Sequence, residues 1–274
     1  MFNQLEVITK EQIEKLTLLR EYIKNLETAC VAYSGGVDSA LVASITFEQL
    51  KGQACAITGV SPALASHLLE EARMQAKWIG IHHIEVATNE LEDESYSKNP
   101  KNRCYACKKE LHKQTTYISE KLNYQNILDG VNFDDLSDYR PGIEASKNAG
   151  VLSPLALFKF SKEDIREISK SLGFPWWDKP AQPCLSSRFP YGYNITHDRL
   201  KMIEEGEAYV RKMGIEEVRV RCQGASARIE IPENEINKFI NIYKNEALLD
   251  HFFKIGFKCI SLDLEGLVSG KLNR

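Results

Sequence analysis

The strongest constraint on this chain is a glycine loop between a strand pattern and a helix pattern near the N-terminus. Residues 29–33 form a short apolar run typical of a buried strand, and an amphipathic helix pattern precedes them at 11–27. The loop Ser34-Gly35-Gly36-Val37-Asp38-Ser39 follows, and a second helix pattern runs from 39 to 50. Adjacent glycines let the backbone turn tightly, and the next helix turns its positive end toward that turn. This order predicts a strand–loop–helix unit that binds an anion.

The alternation of strand and helix continues through residue 172. Further strands are predicted at 53–60, 83–87 and 126–131, and further helices at 67–79, 108–122 and 162–172. Strands that alternate with helices of this length predict parallel βαβ units. We therefore expect an α/β fold with a doubly wound, mostly parallel sheet.

The pattern changes after residue 192. A long helix is predicted at 196–213, with Gly214 as its C-terminal cap, and two strands follow at 217–222 and 227–231. Helices at 233–243 and 246–255 and a strand at 258–262 complete the pattern. We expect one domain of residues 1–192 and a smaller α+β domain of residues 193–274.

Composition and charge exclude several classes of protein. A length of 274 residues suits one large domain or two modest ones, and the net charge of −3 argues against general affinity for nucleic acid or membranes. No basic segment precedes an apolar run at the N-terminus, and no apolar stretch reaches the ~20 residues that a membrane-spanning helix needs. We expect a cytoplasmic protein without a nucleic-acid or membrane partner.

The residue types of the loop suit a bound phosphate group. Ser34 and Ser39 can donate hydroxyl hydrogen bonds, Asp38 can hold Mg²⁺, and Gly35-Gly36-Val37 can present backbone N–H groups. The loop lacks the Gly-Lys-Ser/Thr ending of a Walker A loop. A tight turn with a capping aspartate is the alternative.

Two further segments are expected near the same ligand. Ser61 follows one predicted strand and Asp129-Gly130 follows another. Nucleotides bind beyond the carboxyl ends of strands in doubly wound folds. An Asp-Gly pair is also an ordinary turn, and that alternative stays open.

Three of the seven cysteines stand apart from the rest. Cys104 and Cys107 form a Cys-x-x-Cys pair, and Cys184 follows Pro183. Three thiolates with an open fourth position suit a [4Fe–4S] cluster, whereas structural zinc requires four ligands, to which His82 or His83 could contribute. The pattern would also suit a thiol or persulfide carrier, or cysteines that simply pack in the core. The remaining cysteines are predicted to be structural: Cys30, Cys55, Cys222 and Cys259.

In its strand-to-helix context, the loop resembles that of the PP-loop ATP pyrophosphatases, which carry Ser-Gly-Gly-x-Asp-Ser here. The resemblance implies that ATP is cleaved between its α- and β-phosphates and that AMP is transferred to a substrate oxygen. A nitrogen or sulfur nucleophile then displaces the AMP.

Other motifs make the resemblance more specific. With the loop, they resemble the LarE family of PP-loop sulfur transferases, which serve nickel-pincer nucleotide synthesis, and the similarity runs from about residue 15 to the C-terminus. It implies that a carboxylate of a pyridinium dicarboxylate mononucleotide is adenylated and then becomes a thiocarboxylate. It also implies a hexamer with the small domain at an interface. The motifs are Asp129-Gly130, Asp138-Tyr139-Arg140-Pro141-Gly142, Ser186-Ser187-Arg188-Phe189-Pro190-Tyr191-Gly192, Val218-Arg219-Val220-Arg221, Leu262-Asp263-Leu264 and Ser269-Gly270-Lys271.

Two branches of the family differ in their sulfur source. One branch sacrifices a cysteine at the position where this chain has Pro183, and it lacks the Cys-x-x-Cys pair. The chain resembles the other branch, in which three cysteines, here Cys104, Cys107 and Cys184, hold a [4Fe–4S] cluster with an extra sulfide. A sacrificial Cys184 is the alternative.

The resemblance also implies a site for the substrate phosphate. Ser187, Arg188, Arg219 and Arg221 match that site, and the two strand arginines share one face because side chains alternate. A solvated strand face is the alternative for those two.

Three more residues are weaker matches to the family. Arg103 is expected to line the cleft. Glu207 and Glu230 match acidic positions, as metal or interface candidates or as solvated surface.

Three other classes fit parts of the pattern. A tRNA thiolase would need a basic surface or a zinc ribbon, and neither is present in the sequence. An ammonia-dependent synthetase of the NAD or GMP type shares Pro154-Leu155 followed by Lys159, but it has no need of the three cysteines. A non-enzymatic iron–sulfur or zinc sensor would not need the intact loop.

Overall fold

The structure, a computed structural model, describes residues 6–137, 141–244, 247–268 and 270–271. The motif residues 138–140 and Ser269 lie outside the described residues. The α-helices are α1 Lys10–Lys24, α2 Val37–Leu50, α3 Ser66–Ile79, α4 Glu94–Ser97, α5 Arg103–Leu122, α6 Pro141–Asn148, α7 Pro154–Leu157, α8 Lys162–Ser171, α9 His197–Lys212, α10 Ile236–Ile242 and α11 Leu248–Lys254. The strands are β1 Ala29–Ala32, β2 Ala54–Val60, β3 His82–Ala87, β4 Asn126–Leu128, β5 Arg219–Gln223, β6 Ser226–Glu230 and β7 Cys259–Leu262.

The chain forms two compact units, each made of several segments. The Leu185 N–H donates to the Ala63 carbonyl at 2.9 Å, and the Tyr96 and Ser186 hydroxyls lie 2.6 Å apart, so early segments join the second unit. The expected division between 192 and 193 therefore falls inside a segment of that unit. The first unit is Met1–Ser61, Ser66–Glu90 and Asn102–Gln182, and the second is Pro62–Ala65, Leu91–Lys101 and Pro183–Arg274.

The first unit contains a four-stranded parallel sheet in the order β3-β2-β1-β4. Ala29 of β1 pairs with Ala54 on one side and with Asn126 on the other. All residues of β1 are buried, as expected for a strand with helices on both faces. The predicted α/β fold with a doubly wound sheet is confirmed.

Alternate residues of β1 pack against different layers. Val31 belongs to the main core, which includes apolar residues of α1, α2, α3 and α8. Cys30 belongs to a smaller cluster with Cys55, against which Ile118 of α5 packs. Cys30 and Cys55 are thus core residues, as predicted, because the pleat turns them to the α5 side.

The second unit contains a three-stranded sheet in the order β5-β6-β7. The β5–β6 pair is an antiparallel hairpin turned at Gly224, whose φ is +60°, and β6 pairs with β7 in parallel. Gly214, with φ of +87°, follows the end of α9 in the left-handed conformation expected of a cap.

The helices that the structure describes include none with the length and apolar character needed to cross a membrane.

Candidate functional site

The glycine loop lies where the strand order of the first unit reverses. β2 flanks β1 on one side and β4 flanks it on the other, and ligands of doubly wound folds bind at such a switch point. Gly36 is the N-cap of α2 and makes no side-chain capping bond. The first N–H groups of α2 therefore lack a capping side chain, and an anion can take that place.

Hydroxyl groups fix the shape of the loop. The Ser39 hydroxyl donates to the Gly36 carbonyl at 3.1 Å and accepts from the Ser34 N–H at 3.3 Å. The two hydroxyl oxygens of Ser34 and Ser39 lie 3.1 Å apart. Ser39 is buried and Ser34 is exposed, so Ser34 is the serine whose hydroxyl can reach a ligand.

Two glycines are required because neighbouring atoms leave no room for a side chain. Gly35 has φ of +69°, and a Cβ there would lie 3.0 Å from the Ala72 Cβ of α3. A Cβ at Gly130 would lie 2.7 Å from the backbone nitrogen of Ser39. The loop after β4 therefore touches the first turn of α2, which brings together two segments predicted to hold the nucleotide. Ala72 carries no sequence signal, because it looks like any small helix residue.

Asp38 has one engaged and one open carboxylate oxygen. Its Oδ2 accepts from the Lys162 ammonium at 2.5 Å, while its Oδ1 is buried without a hydrogen-bond partner in the described part of the chain. An orphaned buried carboxylate oxygen fits Mg²⁺, which prefers oxygen ligands. Sequence reasoning marked Lys162 only as a helix start. It lies 124 positions from Asp38, so no local pattern connects the two.

Ser61 lies just after β2, as expected, and its hydroxyl donates to Glu90 Oε1 at 2.6 Å. Glu90 is only 4% exposed, and its Oε2 has no hydrogen-bond partner among the described residues. This carboxylate was not predicted, because a glutamate after a strand carries no distinctive pattern. Its open oxygen can accept from a hydroxyl or amino group.

The Cys-x-x-Cys pair lies in a helix. Because α5 begins at Arg103 and not near 108, Cys104 and Cys107 lie within its first five residues, three positions apart and on one side. Cys104 is exposed, Cys107 is half-buried, and Arg103 is buried.

Cys184 belongs to the second unit, where it is exposed at the N-cap of the short 3-10 helix Leu185–Arg188. All seven cysteines are described, and none of them is in a disulfide. Among the residues described, no three His, Cys, Asp or Glu side chains are gathered as a metal site.

The two histidines considered as zinc ligands start β3. The His83 Nε2 lies 2.8 Å from the Thr58 hydroxyl, and its ring packs edge-on against Tyr33. Burial lowers the pKa of His83. His82 is exposed at the start of the strand.

The second unit contains what we call the arginine cluster: Arg188, Arg219 and Arg221. Arg188 is buried, and its guanidinium binds both oxygens of Glu207 at 2.7 and 3.1 Å. Its Nη1 donates to the carbonyls of Pro183 and Cys184 and to the Ser187 hydroxyl oxygen, at 2.7, 3.1 and 2.9 Å. Most donors of Arg188 are thus engaged within the unit.

Arg221 is engaged in a similar way. Its Nε and Nη2 donate to Glu230 Oε2 at 2.9 and 2.8 Å, and its Nη1 donates to the Ser187 carbonyl at 2.7 Å. Glu207 and Glu230 are both fully buried, so neither is a solvated surface residue. They are partners of arginines.

Arg219 differs from its neighbours. It is half-buried on β5, and it has no hydrogen-bond or ion-pair partner in the described part of the chain. Burial lowers the pKa of Arg219, and the nearby charges of Arg221 and Arg188 lower it further. A desolvated guanidinium beside like charges gains most from a bound anion.

The chain is similar to known proteins over about 95% of its length. No protein-family model matches it. Pyridinium-3,5-bisthiocarboxylic acid mononucleotide synthase of Lactiplantibacillus plantarum is 33% identical over 261 residues, which cover 95% of this chain and 94% of the relative. The chain belongs to the LarE family.

Two other members of similar length have no assigned activity. An uncharacterised protein of Synechocystis is 51% identical over 95% of this chain and 97% of its own length. One of Methanocaldococcus jannaschii is 35% identical over 94% of this chain and 98% of its own. The name of the Lactiplantibacillus relative describes a synthase, so the LarE family is one of enzymes.

Proposed function

We propose that this enzyme is an ATP-dependent sulfur transferase that converts a carboxylate of a pyridinium dicarboxylate mononucleotide to a thiocarboxylate for nickel-pincer cofactor synthesis. The similarity to the Lactiplantibacillus synthase supports this choice of substrate. It disfavours the alternatives of a tRNA thiolase and an ammonia-dependent synthetase. The observation that carries the adenylation step is the open Asp38 oxygen beside the uncapped start of α2.

The ATP site in this proposal is the glycine loop, residues 34–39, together with Ser61 and Gly130. The substrate carboxylate attacks the α-phosphorus, the bond to the β-phosphate oxygen breaks, and pyrophosphate leaves. The α2 N–H groups and the Lys162 ammonium stabilise the charge that develops on the leaving group. Mg²⁺ at Asp38 would neutralise phosphate charge.

The substrate phosphate in this proposal binds to Arg219 and Ser187. Arg219 is the half-buried member of the arginine cluster, and its guanidinium has no hydrogen-bond or ion-pair partner among the described residues. The Ser187 oxygen already accepts from Arg188, so its hydroxyl hydrogen is left to donate to a phosphate oxygen. Arg188 and Arg221 then act by holding Ser187 in place.

The sulfur atom arrives in the second half of the reaction. A sulfur nucleophile attacks the adenylated carbonyl carbon, the carbon–oxygen bond to AMP breaks, and a thiocarboxylate remains. The predicted source is sulfide on a [4Fe–4S] cluster held by Cys104, Cys107 and Cys184. The described residues contain no three-ligand group of this kind, so the structure lends this ligand set no support.

The alternative source is Cys184 itself. Its thiolate would form a thioester, its Cα proton would be lost, and its Cβ–S bond would break to leave dehydroalanine. Anaerobic iron and sulfide analysis and the mass of Cys184 after turnover separate the two sources. Iron bound in wild type and lost in each single cysteine variant supports the cluster, whereas loss of H₂S from Cys184 supports sacrifice.

Release of pyrophosphate tests the proposed function directly. We expect pyrophosphate to be released when ATP, Mg²⁺ and the pyridinium dicarboxylate mononucleotide are all present, with AMP released only as the sulfur nucleophile displaces it. Omitting the mononucleotide should stop the release. Release at the same rate without it, or none with it, would contradict the adenylation of this substrate.

We also propose that residues 193–274 contribute to oligomerisation in a hexamer, as the family resemblance implies. Light scattering coupled to size-exclusion chromatography measures the mass of the assembly. A monomer at micromolar concentration would contradict this part of the proposal.

A further inference from the structure

We infer that Glu207 and Glu230 are positioning residues: through Arg188 and Arg221 they hold the turn of residues 183–188, which carries Cys184 and Ser187. We call this segment the Cys184 turn. Its part in sulfur transfer rests on the proposed function, whereas its clamping rests on the contacts alone. The sequence offered these glutamates as metal or interface candidates or as solvated surface. In the structure they are fully buried and belong to no group of metal ligands among the described residues.

The first clamp starts from helix α9. Glu207 is fully buried, and its Oε1 accepts from the Arg188 Nε at 2.7 Å and from the Val220 N–H of β5 at 3.0 Å. Arg188 in turn donates to both carbonyls at the start of the Cys184 turn, those of Pro183 and Cys184. A single carboxylate therefore connects the helix, the strand and the turn.

The second clamp starts from strand β6. Glu230 is fully buried and accepts two hydrogen bonds from Arg221, whose third contact is with the Ser187 carbonyl at 2.7 Å. The two clamps grip opposite ends of the Cys184 turn. A 3-10 helix of only four residues has little hydrogen bonding of its own. The charged contacts therefore hold its ends, while the bonds of Leu185 to Ala63 and of Ser186 to Tyr96 hold its middle.

The charges of the site are unequal, and this determines which arginine is open. Glu207 is shared by Arg188 and Arg211, and Glu230 is shared by Arg221 and Arg228. Arg219 has no carboxylate of its own in the described residues. The two glutamates therefore engage four arginines and leave Arg219 with excess positive charge.

Arg188 and Arg221 are buried and already hold ion pairs, so a phosphate that competes for the donors of those pairs weakens them. Leaving one member of such a pair unpartnered is strongly unfavourable. The half-buried Arg219 can bind an anion without breaking any contact of this kind. The clamping arginines and the anion-binding arginine thus have separate roles, although all three look alike in the sequence.

Hydrogen exchange measures the clamp without any substrate. The variant Arg188→Met/Glu207→Gln removes both charges and keeps an acceptor for the Val220 N–H. We expect the Leu185 and Ser187 amides of the turn, and the Phe189 amide just after it, to exchange about tenfold faster or more, with the β5–β6 hairpin unchanged. The single variant Glu207→Gln should loosen the turn less, because Arg188 still reaches the carbonyls.

The matched control is Glu205→Gln on the same helix, where Glu205 makes a 3.8 Å surface pair with Lys201. Hydrogen exchange in the Cys184 turn of this control variant should equal that of wild type. Equal exchange in the double variant, or a hairpin that loosens as much as the turn, would overturn the positioning role. The double variant preserves charge balance, so it is expected to fold even if Glu207→Gln does not.

Kinetics with the mononucleotide separate this inference from the proposed function. The double variant should lower kcat about tenfold with KM within about twofold, because the turn moves while Arg219 remains, whereas Arg219→Ala should raise KM about tenfold. A double variant that changes only KM would assign Arg188 to substrate binding and contradict the inference. If wild type does not turn over at all, the proposed function fails, and the exchange experiment still decides the clamp.

Discussion

The glycine loop of the first unit and the arginine cluster of the second both suit anions, but they are built in different ways. The loop relies on backbone N–H groups, two hydroxyls and a single carboxylate, held by close backbone packing at Gly35 and Gly130. The cluster relies on buried charges, most of them neutralised internally. Local sequence therefore specifies the first site, whereas distant partners specify the second.

The largest expected effect tests whether the loop depends on its one carboxylate. Asp38→Asn keeps the volume and removes the charge that would hold Mg²⁺ and that pairs with Lys162. We expect pyrophosphate release to fall by about 10³-fold, of the order seen when an electrostatic partner of the transition state is removed. Glu120→Gln, at an exposed site near the end of α5, is the control. A tenfold loss or less would show that the loop works without this carboxylate.

The next test separates the roles within the arginine cluster. Arg188→Ala leaves Glu207 buried and without its main partner, so the second unit should lose about 3–5 kcal/mol of stability. Burial and neighbouring like charges already lower the pKa of Arg219, so its charge contributes little to folding. The variant Arg219→Ala should therefore change the stability of the unit by less than about 0.5 kcal/mol.

Chemical denaturation, monitored by hydrogen exchange in the β5–β6 hairpin, measures the stability of both variants. Arg228→Ala is the control, because Arg228 is 47% exposed and its pairs are longer. Equal losses of stability in Arg188→Ala and Arg219→Ala would contradict the distinction between clamping and open arginines.

A smaller effect tests the packing of the loop. Gly130→Ala places a Cβ against the backbone of Ser39, which cannot move without shifting α2, so we expect a cost of about 1–3 kcal/mol and weaker ATP binding. Gly52→Ala is the matched control, because nothing lies within 4 Å of a Cβ there. Thermal unfolding and ATP titration measure both variants. A Gly130→Ala protein with normal ATP affinity would contradict the close approach.

The smallest effect concerns pH and the first unit. His112 is buried against the Ser146 hydroxyl at 2.9 Å, and burial lowers its pKa to about 4, with Lys108 adding to the effect. The unfolded chain takes up a proton near pH 6.5, which the folded chain does not. Stability should therefore fall as the pH drops from about 6.5 to about 4, by no more than about 1.4 kcal/mol per pH unit.

The variant His112→Gln should flatten this pH dependence, while His82→Gln at an exposed site should not. Tryptophan fluorescence reports on this unit, because all three tryptophans, Trp78, Trp176 and Trp177, belong to it. An unchanged slope in His112→Gln would assign the pH dependence to other groups.

Sequence patterns predicted the parallel sheet and the loop, because both depend on residues adjacent in the chain. They did not predict that the loop lies where the strand order reverses, because that order is set by tertiary pairing. They missed Lys162, Ala72 and Glu90, which reach the loop region or the strand ends from distant helices and turns. They also started α5 too late. The helix was predicted from residue 108, whereas the chain is helical from Arg103, so both cysteines of the Cys-x-x-Cys pair lie within the helix.

The sequence by itself determined the α/β architecture and the anion-binding loop, because periodicity and glycine pairs act over a few residues. It placed three arginines and two glutamates in the second unit but could not tell their roles apart. Only the tertiary structure decided that Arg188 and Arg221 are bound to Glu207 and Glu230 while Arg219 is open. The physical reason is that a buried charge is defined by its partner, and these partners come from different elements of the fold.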